Sequence, residues 1–158
     1  MEAVKMEQLK DKEAFISAQY IVIRLGDEKY GIDIRYVDNI LRMQQITRVP
    51  KVAPYFRGVI NLRGEVVPVM SVRVKMGLED VEETKDTRII ILKADGIEKI
   101  GIIVDEVKEV VTLEEEQVDR MAYDSKEEKS AFVTAVGKCG EDLISLLDLH
   151  AVLAEQNQ

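Results

Sequence analysis

Apolar residues along this chain fall in short, regularly bounded runs. In the stretch from Tyr20 to Leu25, Ile21, Ile23 and Leu25 occupy alternate positions and so share one face of an extended strand. Isoleucine and valine dominate this run and the others like it, each about five to seven residues long and closed by Gly, Asp, Asn or Pro. The pattern predicts strands at 20–26, 29–34, 37–43, 56–63 and 65–70, and again at 87–94, 97–104, 106–112, 131–138 and 141–147. Helical spacing appears in two short places. Ser71 is placed to cap a helix carrying Val72 and Met76 on one face and stopped by Gly77. Asp148 is placed to cap a second, striped by Leu149, Val152 and Leu153. Residues 3–15 read as a polar helix, 79–86 as an acidic linker and 119–129 as a polar loop.

The strands repeat in order. Tyr20 to Gly26 leads through a polar turn to Tyr30-Gly31-Ile32-Asp33-Ile34, and Arg88 to Ala94 leads through Asp95-Gly96 to Ile100-Gly101-Ile102-Ile103-Val104-Asp105, at offsets of 68 and 70. Val66 to Val72 is matched by Leu143 to Leu149 at an offset of 77, each run following a Gly-Glu pair. This period is too long for a solenoid and predicts a duplicated subdomain. The expected class is all-β with short helices. Two five-stranded barrels would form, with copies near 18–86 and 87–150, a C-terminal helix at 148–155 and an extension at 1–17.

Charge narrows the possible partners. With 30 acidic against 22 basic residues, the net charge of −8 opposes nucleic acid and anionic membranes, although small barrels often bind nucleic acid, which keeps that reading as the alternative. Aromatic residues make up only 5%, too few for a base-stacking platform. No apolar run approaches membrane-spanning length and the charged start does not resemble a signal peptide, so a cytoplasmic protein is expected.

Reactive groups are scarce. Cys139 is the single cysteine and His150 the single histidine, and neither has neighbours in a triad or metal-ligand pattern. The Gly137-Lys138-Cys139-Gly140 turn lacks the remaining residues of a phosphate loop. The acidic runs lack the spacing of a calcium loop. A non-enzymatic protein without cofactor or metal is expected.

One segment is more specific than any periodicity. Val49-Pro50, then Phe56-Arg57-Gly58-Val59-Ile60-Asn61-Leu62-Arg63-Gly64-Glu65-Val66-Val67-Pro68-Val69, resembles the signature of the CheW family of chemotaxis coupling proteins, and Gly26 to Ile34 resembles the same family. The resemblance extends over about residues 18–155. It implies a single domain over 18–155 made of two intertwined SH3-like barrels around a shared core. The implied partners are the regulatory domain of the histidine kinase CheA and the cytoplasmic hairpin tip of chemoreceptors, at membrane-associated arrays. Adaptor function without catalysis follows. The kinase itself would require phosphotransfer and ATPase domains, and the CheV type a receiver domain.

The same resemblance carries receptor contact onto Arg63, whose planar guanidinium suits a carboxylate or carbonyl. The alternative is that Arg63 pins its own turn. Val37 and Asn39 align with another receptor-contact region, Val37 equally fitting a core role. An acid is common in the family at the position of Asn39. Here the acid is Asp38, one place earlier, which in a regular strand faces the other way. Gly58 and Gly64 are expected to permit close approach and tight turning, and Asn61 to support the turn through its amide. Ser71 stands where the family usually has aspartate, and keeps a capping oxygen.

Overall fold

The computed structural model describes residues 17–94, 96–120 and 131–154. In chain order the elements are β1 (Ser17–Leu25), β2 (Glu28–Asp33), β3 (Val37–Arg42), β4 (Phe56–Leu62), β5 (Glu65–Ser71), α1 (Val72–Lys75), β6 (Arg88–Ala94), β7 (Ile97–Val104), β8 (Glu106–Glu114), β9 (Val118–Asp119), β10 (Val133–Cys139), β11 (Asp142–Leu147) and α2 (Leu149–Leu153). Short 3-10 turns at Ile34–Tyr36 and Glu115–Gln117 precede β3 and β9. Ten of the strands fall within three residues of the expected bounds. The two-residue β9 is additional, because Asp119, read from sequence as loop, pairs with Val136. Gly137 to Cys139 belong to β10, so the turn read there contracts to Gly140 and Glu141. The helix expected at 3–15 lies outside the described residues.

Two sheets form, in the orders β8-β1-β2-β11-β10-β9 and β3-β6-β7-β5-β4. Each draws on both copies of the repeat. The first two strands of each copy have crossed to join the later strands of the other, so the repeat in sequence and the sheets in space divide the chain differently. Of the pairs that join the copies, β1 with β8 and β3 with β6 are antiparallel, and two are parallel. β5 lies beside β7 with Val69 opposite Gly101, and β11 lies beside β2 with Leu146 opposite Gly31. These are the two glycines of the repeat, and the reason is steric. A Cβ on Gly101 would come within 2.9 Å of Ile89 Cγ2, and one on Gly31 within 2.9 Å of Leu146 Cδ2.

Burial follows the same plan. Strands β1 and β6 are apolar on both faces, as strands covered on both sides must be. Ile21, Ile23 and Leu25 of β1, with Ile90 and Leu92 of β6, enter one large cluster that joins the sheets. Val22 faces a second cluster with Leu113, Ala135, Ile144 and Leu146 within the six-stranded sheet. Ile89 and Ile91 face a third with Ile60, Val67 and Val69 within the five-stranded sheet. The cluster between the sheets is the largest, and each side chain fully buried there contributes about 1.5–3 kcal/mol.

The short helices close that shared core. Ser71 Oγ accepts the Val74 N–H at 3.2 Å, and Asp148 Oδ1 accepts the Ala151 N–H at 3.2 Å. Helix α1 ends in a Schellman motif. Gly77, at φ 77°, donates to Val74 O, Leu78 donates to Arg73 O, and Leu78 packs on the core. Two cations of α1 then reach elements of the other sheet. Arg73 pairs with Asp105 at the β7–β8 junction, and Asp105 also accepts the Gly26 N–H from the β1–β2 turn. Lys75, only 5% exposed, donates to the Ala154 carbonyl at the end of α2 and lies 4.1 Å from the centre of the Tyr55 ring.

Candidate functional site

The β4–β5 hairpin closes through two residues. Leu62 pairs with Glu65, leaving Arg63 and Gly64 at φ 53° and 85°. Left-handed backbone at both central positions matches the right-handed twist of the flanking strands. Glycine adopts it freely, whereas arginine is strained there by about 1–2 kcal/mol. Asn61 holds the turn, its Oδ1 accepting the Gly64 N–H at 3.0 Å. The Arg63 side chain is exposed and has no ion-pair partner among the described residues.

Gly58 has a different task. At φ 141° it passes so close to Thr47 that an added Cβ would stand 2.0 Å from the Thr47 carbonyl oxygen. Thr47 and Val59 exchange both backbone hydrogen bonds at 2.8 Å, which fastens the loop after β3 onto β4. That loop is exposed and cationic. Between Asp38 and Glu65 the chain carries Arg42, Arg48, Lys51, Arg57 and Arg63 and no acidic residue. Ile40, Val49 and Val52 are exposed on the same segment. Among the described residues, Arg57 alone of these cations has an ion-pair partner, Asp80.

On β3, Val37 is half-buried against the core between the sheets, and Asn39 is half-buried with its Oδ1 accepting the Ile40 N–H at 2.9 Å. The pairing register shifts between them, so Asp38 is an extra residue in a β-bulge. Burial nonetheless alternates through the bulge, with Asp38 exposed between half-buried Val37 and Asn39.

Hydrogen bonding places β3 and β4 at opposite edges of the five-stranded sheet. Neighbours of the two sites nevertheless meet at Lys99 of β7, which pairs with β5 and is separated from β3 by β6 alone. Its Nζ is 3.7 Å from Asp38 Oδ2 and 3.7 Å from Glu65 Oε2. Lys99 was not singled out from sequence, because its partners lie 61 and 34 positions away and nothing local marks it.

Other polar groups are already engaged. A cleft of about 390 Å³ is lined by Arg24, Arg57, Arg73 and Asp105 among others. Each of its arginines is paired to a carboxylate, Arg24 with Glu106, Arg57 with Asp80 and Arg73 with Asp105. Burial alone would raise the Asp105 carboxyl. The Arg73 hydrogen bond, the Gly26 N–H and the charges of Arg73 and Arg24 outweigh it and hold Asp105 below the ordinary carboxylate value. His150 is exposed and meets the Tyr36 ring edge-on at 6.4 Å, and Cys139 is half-buried at the end of β10. No helix among the described residues is long and apolar enough to cross a membrane.

Comparison with known proteins is consistent across sequence and structure. Residues 19–157 match the family model described as the CheW-like domain. The chain is 36% identical to the chemotaxis protein CheW of Bacillus subtilis over 137 residues, covering 87% of each. It is 32% identical to the protein of that name from Klebsiella aerogenes over 141 residues, covering 89% of this chain and 84% of the other. Its fold is similar to the crystal structure of the scaffolding protein TtCheW from Thermoanaerobacter tengcongensis, with a TM-score of 0.81 and 30% identity, covering 90% of this chain and 97% of that one.

Proposed function

Since the chain belongs to the CheW-like family, we propose that it is a chemotaxis adaptor that couples chemoreceptors to the histidine kinase CheA through surface contacts, without catalysis. The observation that carries the reading is the folded form of the Phe56–Val69 motif. An arginine is held in a strained left-handed turn, exposed and without an ion-pair partner among the described residues. Strain at such a position persists where a function repays it.

In this reading, Arg63, Val37 and Asn39 contact the helical hairpin at the receptor tip, received in the groove between the barrels. The kinase regulatory domain docks on the apolar surface of the barrel built from β3 to β7. Exposed Ile40, Val49 and Val52 beside Arg42, Arg48 and Lys51 support that assignment, since they join an apolar patch to uncompensated positive charge in an acidic protein. The working location is then the receptor array at the membrane, reached by binding its proteins and not by insertion.

The test is a capture experiment with two baits, a receptor-tip fragment and a CheA regulatory domain. Arg63→Ala is expected to weaken receptor capture by about 2 kcal/mol, near thirtyfold, and to leave kinase capture unchanged. Equal receptor capture by wild type and variant would reject the assignment of Arg63. A nucleic-acid-binding barrel would instead retard an oligonucleotide in a salt-sensitive way.

A further inference from the structure

We propose that Lys99 is a positioning residue for the receptor-contact end of the β3–β7 barrel, acting by separating two carboxylates that would otherwise repel. This rests on the proposed reading of Arg63 and Val37 as receptor contacts. Asp38 is the bulged residue between Val37 and Asn39, and Glu65 is the first residue after the Arg63-Gly64 turn. Both are held 3.7 Å from one ammonium, so their oxygens lie no more than twice that distance apart. That is within about one Debye length at physiological salt.

Asp38 and Glu65 come from strands that are not neighbours in the sheet, whereas Lys99 stands on β7, which pairs with β5 directly. β6 and β7 lie between β3 and β5 in hydrogen-bond order, and Lys99 projects from β7. Its charge is thus the link that ties the start of β3 to the hairpin turn at this end of the barrel. Both separations exceed hydrogen-bond length, so the brace is electrostatic and tolerant in geometry. Without the lysine, Asp38 and Glu65 face each other as like charges. The bulge and the turn then move apart, carrying Val37, Asn39 and Arg63 out of register with one another. Because Lys99 offsets part of the charge of Asp38 and Glu65, Arg63 is drawn less strongly onto Glu65 and remains available to a partner.

The experiment measures receptor-tip binding by the full chain and its variants at low and high salt, with kinase regulatory-domain binding and thermal unfolding as controls. Lys99→Gln is expected to weaken receptor binding about three- to tenfold near 50 mM salt, in keeping with two partly exposed ion pairs. The ratio to wild type should approach one at 0.5 M salt, where repulsion is screened. Lys99→Arg should bind like wild type. The triple variant Asp38→Asn, Lys99→Gln, Glu65→Gln should recover the lost affinity, since it removes the repulsion together with the brace. A triple variant as weak as Lys99→Gln would overturn the proposal, because Lys99 would then touch the receptor itself. Wild-type binding by Lys99→Gln with loss in Arg63→Ala would also overturn it and leave the hairpin reading standing. Wild-type binding by Arg63→Ala would overturn the hairpin reading, and this proposal with it.

Discussion

Arg73 grips Asp105 through two parallel hydrogen bonds, Nε to Oδ1 at 2.8 Å and Nη2 to Oδ2 at 2.6 Å, and so joins helix α1 to the junction where the chain passes from one sheet to the other. Both side chains are largely buried, and the second carboxylate oxygen also takes the Gly26 N–H at 2.8 Å. Replacing Arg73 by Ala leaves a carboxylate with little water, one of its three hydrogen bonds and the more distant Arg24 charge. The expected loss is about 2 kcal/mol in urea unfolding.

The same pair sets a pH dependence. Asp105 is held below its ordinary value of 3.8, so its contribution is fully present above that value and is lost as pH falls through the lower folded value. Asp105→Asn should therefore be less stable than wild type at pH 7, and the gap should narrow only below pH 3.8. Urea titrations of both proteins from pH 7 to pH 2.5 check this. A gap that closes near pH 6 would contradict it.

Gly58→Ala should destabilise by at least about 2 kcal/mol, because the new methyl meets backbone and not a side chain that can swing away. The damage should appear first as faster hydrogen exchange at the Thr47 and Val59 amides, whose mutual bonds the methyl forces apart. Uniform acceleration across the sheet would point to a different cause.

Arg63→Asn should be as stable as wild type or more so, by up to about 1 kcal/mol, since asparagine tolerates the left-handed backbone better. It should nonetheless lose receptor capture. A stability gain joined to a binding loss is the signature of a residue kept for its contact and not for its turn.

Lys75 separates charge from packing. Lys75→Met keeps a long side chain against Tyr55 and removes a buried ammonium, so thermal and urea stability should change by less than about 1 kcal/mol. Lys75→Ala removes the packing as well and should cost about 2 kcal/mol or more. Equal effects of the two would show that the bond to the Ala154 carbonyl, and not the side-chain volume, holds α2 in place.

The strands were legible because alternation is a local property. Ile21, Ile23 and Leu25 declare a face whichever strand lies beside them. The helix caps were legible for the same reason, with Ser71 and Asp148 each standing just before an apolar stripe. Pairing is not local. Nothing in residues 20–34 says that β1 lies beside β8 or β2 beside β11, and the repeat invites the simpler arrangement in which each copy folds on itself. Asp38 shows a finer limit, since nothing local announces the bulge that leaves it unmatched in the register with β6, although burial still alternates there. Lys75 reads as an ordinary surface lysine in a short helix. The Tyr55 ring and the second helix, brought alongside from the far end of the chain, make it a buried one. Of the candidate site, the residue types of the Arg63 turn could be read, whereas the Lys99 link between its two halves could not.

Strand exchange between the copies also dictates when the molecule can fold. On a ribosome, β1 and β2 emerge first as a two-stranded ribbon, which is marginal alone. Their other partners, β8 and β11, follow about 90 and 115 residues later, roughly 5–20 s at usual synthesis rates. Through that interval Ile21, Ile23 and Leu25 have no completed core to enter, and the nascent chain has to be shielded or remain loosely collapsed until its second half arrives.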